Sequence, residues 1–505
     1  MSLLGIDVGT SGCKAVVFDR SGGALAEAAK TYASRSPGPG RAEMDAGVFW
    51  DALVQTIREA SAAVADDPVE ALAISSQGET FVAVDGKGRA VAPAIMNSDS
   101  RAVRESELSE AELGKERIYE LTGLPPHPMY SLNKIVWLRE HEPEVFRRAS
   151  KFLTVGDYLL TRMGLPPVVD FSLASRTMAF DIGKRRWAEE LLALGGLRES
   201  SFAAPMSSGS TAGTVDRETA SLLGVRQGTV VAVGGHDQPC GALGAGVIGQ
   251  GDVADSAGSY ECLTVASERP RNTPAALSYS LNTYCHVVPE RYVTLAFFPA
   301  GFVTSWFVEE LAGEDRRAAA EEGQDLYRYL EERLEKECPG PTGVCVTPHF
   351  IGSFNPSWDV RATGSVIGLT PSATRLHLYK AVHEGMACEL AINVGVLEEV
   401  AGAFEEIRIY GGVAGSPFSV QLRADLSGKR FRTLTTSQAV CRGAAMLAGI
   451  ATGAYRDCVE AVDVMVHFDR LYEPNVEAAR SYAAQFHRYR LIHPSLAPVR
   501  AAGSG

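Results

Sequence analysis

At 505 residues the chain is too long for one ordinary core, so two domains are expected, and 46% hydrophobic with 22% charged residues describes a soluble globular protein. Its 61 acidic and 48 basic residues give a formal charge of −13, which argues against a nucleic-acid or anionic-membrane surface without excluding a local basic pocket. There is no apolar run long enough to span a bilayer, no cleavable basic leader, and no CxxC or Cys/His metal spacing among nine scattered cysteines, so a cytoplasmic protein with reduced core thiols is expected.

The chain opens with "LLGIDVGTSGCKAVVFD", residues 3–19: two apolar runs around one acid, small residues and two hydroxyls. This reads as a strand pair with a carboxylate near its tip. In "DAGVFWDALVQTIREASAAV", Asp45 is an N-cap, and Val48, Phe49, Ala52, Leu53, Ile57 and Ala60 recur at helical spacing. "EALAISS", "TFVAVD" and "AVAPAIMN" read as strands, the last two joined by a turn at Gly86-Lys87-Gly88. "VVAVGGHDQ" is a short buried strand that ends on two glycines and a charged pair, where open α/β sheets place ligands. "GALGAGVIGQG" contains Gly244-x-Gly246-x-x-Gly249, but a strand-like run follows it instead of a helix, so it reads as a domain junction and not as a dinucleotide fingerprint.

Past this junction "VADSAGSYECLTVAS" repeats the opening pattern. Setting Gly9-Thr10 on Gly258-Ser259 places Asp7 opposite Ser256, so an internal duplication with one asymmetric acid is expected. Two such halves would clamp one anionic ligand and one cation. A long helix, "RLHLYKAVHEGMACELAINVGVLEEVA", then precedes the strand "EEIRIYGG" and the helix "SPFSVQLRADLSG", for which Gly428 is the C-cap. The strand exit through Gly411-Gly412 allows close backbone approach to a flat or anionic ligand. The closing helix, "QAVCRGAAMLAGIATGA", is rich in the small residues that close packing requires.

Two places carry candidate chemistry. Backbone N–H groups around Gly9, Thr10, Ser11 and Gly12 are placed to receive phosphate oxygens, Lys14 to add charge and Asp7 to serve a divalent metal, unless the stretch is an ordinary surface turn. Asp237, just past a buried strand, suits a group that accepts a hydroxyl proton during phosphoryl transfer, or else a helix N-cap. His236 beside it reads as a structural histidine.

Five segments together resemble the FGGY carbohydrate kinases, in order and over nearly the whole chain: "IDVGTSGCKAVVFD", "MYSLNKIVWLREHEP" (Met129, Ser131, Lys134, Trp137), "GGHDQPCGALGAG", "DSAGSYE" and "IYGGVAGSPFSVQLRAD". The resemblance implies an α/β fold of two ribonuclease-H-like, actin-like ATPase domains closing over ATP and a sugar, here 1–247 and 248–495 with a tail at 496–505. It assigns Mg²⁺ to Asp7 and Asp237, and the catalytic base to Asp237. Phosphate and nucleotide contacts fall on Thr10, Ser11, Lys14, Gly258, Ser259, Gly411, Gly412, Val413, Ser416 and Gln421. Substrate contacts fall on Gln77, Gly78, Glu79, Asn97, Asp99, Arg101, Asp237 and Gln238.

Gly78 stands where glycerol kinases carry arginine and xylulokinases methionine, and Asn97 where an aromatic is common. Lost bulk at both positions is expected to admit a chain longer than glycerol, and Glu79, Asp237 and Gln238 to favour a substrate rich in hydroxyl donors. The expected activity is transfer from Mg-ATP to a pentulose or hexulose such as xylulose. A C4–C6 polyol is the alternative, and a homodimer is implied by the family alone. A non-kinase ATPase and a silent sugar-binding member compete, the latter because Glu261 follows the second hairpin where a carboxylate could repel phosphate.

Overall fold

The computed structural model describes residues 2–502 as two α/β halves on related sheets. In the N-terminal half the strand order is Thr211–Thr214, Val230–His236, Val69–Ser76, Ser2–Val8, Gly12–Phe18, Ala24–Thr31. In the C-terminal half it is Phe468–Tyr472, Arg430–Leu434, Glu406–Gly411, Val253–Ala257, Tyr260–Ser267, Tyr292–Pro299, Asn282–Cys285. Both run through one antiparallel pair, two parallel pairs and then antiparallel strands. The expected duplication therefore extends across whole sheets, with Asp7 paired to Lys14 and Ser256 to Cys262 on corresponding rungs.

The opening strand reads as unbroken hydrophobicity because helices cover both of its faces. Leu4, Ile6 and Val8 join a core with Phe49 and Leu53 of helix Ala46–Ala62, whose N-terminus Asp45 caps by accepting from the Gly47 N–H. Leu3 on the other face joins Ala444 and Met446 of helix Ala439–Thr452, which crosses from the far end of the chain. That crossing is backbone to backbone: a Cβ at Gly5 would lie 1.7 Å from Cys441 O, and one at Gly443 1.9 Å from Cys240 O. This is the physical reason for the small residues of the closing helix.

Two local readings change. Asp237 opens helix Asp237–Gly244, so the glycine-rich passage begins as helix. The strand expected over "AVAPAIMN" shrinks to Ala94–Ile95 after a single Val84–Ala90 bridge, because Pro93 has no N–H for a ladder. Within the expected tail, Ala497–Ala502 is helical; residues 503–505 lie outside the described residues. All nine cysteines are buried, and no helix among the described residues is long and apolar enough to cross a membrane.

Candidate active site

The first hairpin tip is a turn braced from below. Gly9 N–H donates to Gly12 O at 2.9 Å, and Tyr32 OH donates to Gly9 O at 2.7 Å. The Gly9 amide is thus used inside the turn, a correction to the donor set expected from the sequence; the Thr10 and Ser11 amides make no hydrogen bond among the described residues. Beneath them Asp7 Oδ1 is buried without a donor, and burial raises its carboxyl to about 6 against the opposing pull of Lys14. Lys14 Nζ reaches across to Gln438 Oε1 at 3.1 Å.

The tip is tied directly to the expected substrate loop. Gln77 Nε2 donates to Gly9 O at 3.1 Å, Thr10 Oγ1 donates to Gln77 Oε1 at 3.1 Å, and Asn97 Nδ2 donates to Thr10 Oγ1 at 3.2 Å. Asn97 Oδ1 and Gln238 Oε1 are buried and receive nothing. Helix Ser131–His141 supports this loop: Ser131 Oγ donates to Glu79 O at 2.9 Å, and buried Lys134 Nζ to Glu79 O at 3.0 Å and Met96 O at 2.8 Å. Asp99 and Arg101 sit just outside. They bind one another at 2.8 Å, Glu43 joins Arg101 at 2.6 Å, and the guanidinium lies over Trp137.

Sequence reasoning missed Arg176. Its guanidinium pairs with Glu79, donates to Asn282 Oδ1 at 2.8 Å and lies 4.9 Å from the Tyr284 ring centroid. The vacancy expected at Gly78 is therefore filled: a Cβ there would lie 2.9 Å from His236 Nε2 and 3.0 Å from Arg176 Cγ. Glu79 is likewise engaged with a cation and is not a free acceptor. Nothing in "LASRTMAFD" marks this arginine, since its partners are 97 and 106 residues away.

Asp237 lies beside these groups with its side chain 28% exposed. Desolvation, then the charges of Asp7 and Glu79, push its carboxyl up to about 8. His236 Nε2 stands 3.1 Å from Asp237 Oδ1, and Tyr284 OH 3.2 Å from His236 Nδ1. Burial, with Arg176 nearby, holds the His236 imidazole neutral. Nε2 and Oδ1 are in close contact without a hydrogen bond, so the ring's hydrogen bond is the one between Nδ1 and Tyr284.

From the C-terminal half, Gly258 and Ser259 form the second tip, locked to the start of helix Gly301–Glu310 by Ala300 N–H to Ser259 O and Gly301 N–H to Gly258 O, both 3.0 Å. Glu261 turns away from that tip into the core, where Arg423 donates to both of its oxygens at 2.7 Å. Gly411 leaves its strand at φ 94°, where a Cβ would lie 2.6 Å from Ala257 O, and Gly412 and Val413 follow in a short 3₁₀ turn. Ser416 caps helix Pro417–Ser427 and donates to Glu331 at 2.5 Å, while Gln421 turns to Asp425 and the Glu473 carbonyl.

Two corresponding hairpin tips, an unpartnered carboxylate oxygen and a second carboxylate at the end of a buried strand are the parts that a phosphoryl-transfer cleft needs. The family model for the N-terminal domain of the FGGY carbohydrate kinases matches residues 2–244, and that for the C-terminal domain residues 253–452. The chain belongs to this family. It is a carbohydrate kinase with the actin-like ATPase fold. Gluconokinase of Bacillus licheniformis is 26% identical over 483 residues, covering 95% of this chain and 93% of the relative. Autoinducer-2 kinase of Klebsiella pneumoniae is 28% identical over 504 residues, covering 97% and 93%. The crystal structure of xylulose kinase from Lactobacillus acidophilus superposes over the full length of both chains with a TM-score of 0.89 at 24% identity.

Proposed function

We propose that this kinase moves the γ-phosphate of ATP to a hydroxyl of a neutral ketose, a pentulose or hexulose such as xylulose, with a C4–C6 polyol as the second reading. The observation that carries it is the set of buried acceptors without donors around Asp237: Asn97 Oδ1 and Gln238 Oε1 await hydroxyl hydrogens. The charge of Arg176 is already balanced by Glu79 and so is not available to an anionic acceptor such as gluconate, which disfavours one.

In this reading the halves divide the work, 1–247 holding the acceptor and base and 248–495 the nucleotide. Asp237 takes the acceptor's proton as its oxygen attacks; a carboxyl near 8 suits a base working close to neutral pH. The Thr10 and Ser11 amides, Lys14 and the Gly258–Ser259 tip hold phosphates, and Gly411, Gly412, Val413, Ser416 and Gln421 border the nucleoside. The unpartnered Asp7 oxygen, with Asp237 opposite, fits Mg²⁺, which when bound would neutralise phosphate charge. We place the enzyme in the cytoplasm as a homodimer.

A coupled ADP-release assay with Mg-ATP over D-xylulose, D-ribulose, D-fructose, xylitol, erythritol, glycerol and gluconate tests this. Strong turnover of a neutral acceptor that Asp237→Asn lowers by about 10²–10⁴-fold is expected. Slow ATP hydrolysis alone, indifferent to the variant, would refute the reading.

A further inference from the structure

The acceptor loops at Gln77 and Asn97 offer polar groups, yet a sugar also presents a face of C–H bonds that needs an apolar partner. An aromatic cluster in the C-terminal half borders the same cleft. Phe297 lies opposite Cys262 in the ladder, so the two share a face of the sheet. That face looks toward the acceptor loop, for Leu295, two residues before Phe297, lies opposite Asn282, which accepts from Arg176, the partner of Glu79. Phe297 also packs against the hydrophobic core that residues of both halves share.

From Phe297 the rings continue without a gap. Its centroid is 5.1 Å from Phe354 and 5.4 Å from Trp358, and those two are 5.3 Å apart. Tyr260, next to the Ser259 tip, meets Phe354 edge-on at 5.8 Å. At the other end Trp358 meets His127 of the N-terminal half at 5.4 Å, just before the helix that grips the Glu79 carbonyl. The wall therefore runs from the phosphate hairpin to the support of the acceptor loop.

It is held open and in place. Phe297, Phe354 and Trp358 are each only half-buried, and the indole N–H has no partner among the described residues. Trp358 sits at φ 42°, a left-handed conformation unusual for a bulky residue. Buried Asn355 anchors the loop, giving Nδ2 to Tyr279 O and Ser280 O at 2.9 and 2.8 Å and taking the Phe297 N–H on Oδ1 at 3.0 Å. A strained, anchored, partly exposed aromatic at a cleft is the arrangement expected of a ligand-contacting side chain.

Resting on the kinase reading above, we propose that Phe297, Phe354 and Trp358 form the stacking face of the acceptor pocket. They select a neutral five- or six-carbon sugar or polyol over glycerol. A three-carbon chain held at Asp237 is too short to cover rings arrayed over this distance, whereas a pentulose lays its C–H face along them and offers a hydroxyl to the indole N–H.

The test uses the full-length enzyme, with the best acceptor among D-xylulose, D-ribulose, D-fructose, xylitol and erythritol, and glycerol as the short-chain control. Trp358→Ala is expected to raise acceptor KM by about tenfold or more and shrink the preference over glycerol, leaving the KM for ATP within about twofold. Trp358→Phe should restore most of the loss. Acceptor binding should change tryptophan emission in wild type and not in Trp358→Ala. Folding of each variant is checked by circular dichroism; should Trp358→Ala not fold, Trp358→Phe and Phe297→Leu take its place, with a smaller rise in acceptor KM expected. Unchanged acceptor KM and glycerol preference in folded variants would remove the wall while leaving the kinase standing. A wild type that phosphorylates none of these acceptors would overturn both.

Discussion

His236 Nε2 lies 3.1 Å from Asp237, and its Nδ1 is hydrogen-bonded to Tyr284 on the opposite half. Tyr284→Phe deletes the hydrogen bond to Nδ1 with little loss of volume, so the imidazole that packs against Asp237, the proposed base, can turn over. Steady-state kinetics should show kcat reduced by about tenfold with both KM values within about twofold; unaltered kcat would deprive His236 of its positioning role. Asp157 supplies a residue-scale test of stability. Burial raises its carboxyl from 3.8 to about 8, while Thr154 donates to it. Its folded pKa exceeds the unfolded value, so its contribution is complete below about pH 4 and is lost as pH rises through 8. Asp157→Asn should flatten that decline in thermal melts taken from pH 5 to 8.5, with its largest relative benefit at the alkaline end; parallel curves for the two proteins would contradict the assignment.

At the scale of elements, the buried Arg423–Glu261 pair ties the second hairpin to helix Pro417–Ser427, with both side chains fully inaccessible. The Asp255 carboxyl, on the same face of the hairpin, is pushed up by burial and by the charge of Glu261. Arg423→Ala strands a carboxylate in the core and should cost about 3–5 kcal/mol, whereas Arg423→Met with Glu261→Leu should recover much of that loss in denaturant melts. Recovery by neither route would mean the pair has no such structural weight. Elements of this kind differ in how legible they are. The strands Val253–Ala257 and Glu406–Gly411 and the helix Arg375–Ala401 were readable because apolar runs and periodicity are local signals. The direction of Glu261 was not, because the arginine that turns it inward lies 162 residues away. Arg176 and Tyr284 were missed for the same reason, and the room inferred at Gly78 was an error of counting one residue without its distant neighbours.

In the proposed reaction the halves must close on one another, since water left in the cleft would compete with the sugar for phosphate. The halves already meet at Lys14 and Gln438, and where Arg442 donates twice to Gly244 O at 2.7 and 2.9 Å. Nearest the chemistry, they meet at Asn282. Its Oδ1 accepts from Tyr130 OH at 2.9 Å and from Arg176 Nη1 at 2.8 Å, both from the N-terminal half, and its side chain is wholly buried. Asn282→Ala leaves two buried donors unsatisfied, at a cost of about 1–3 kcal/mol each. It also frees Arg176, and with it Glu79, from its hydrogen bond to the C-terminal half, leaving the Tyr284 ring as the remaining contact described above. The loosened clamp should raise acceptor KM more than the KM for ATP, and should increase ATP hydrolysis without acceptor relative to transfer. Measuring ADP release with and without the preferred acceptor separates the two rates. A variant as tightly coupled as wild type would show that closure is set elsewhere, at the Arg442 and Lys14 crossings.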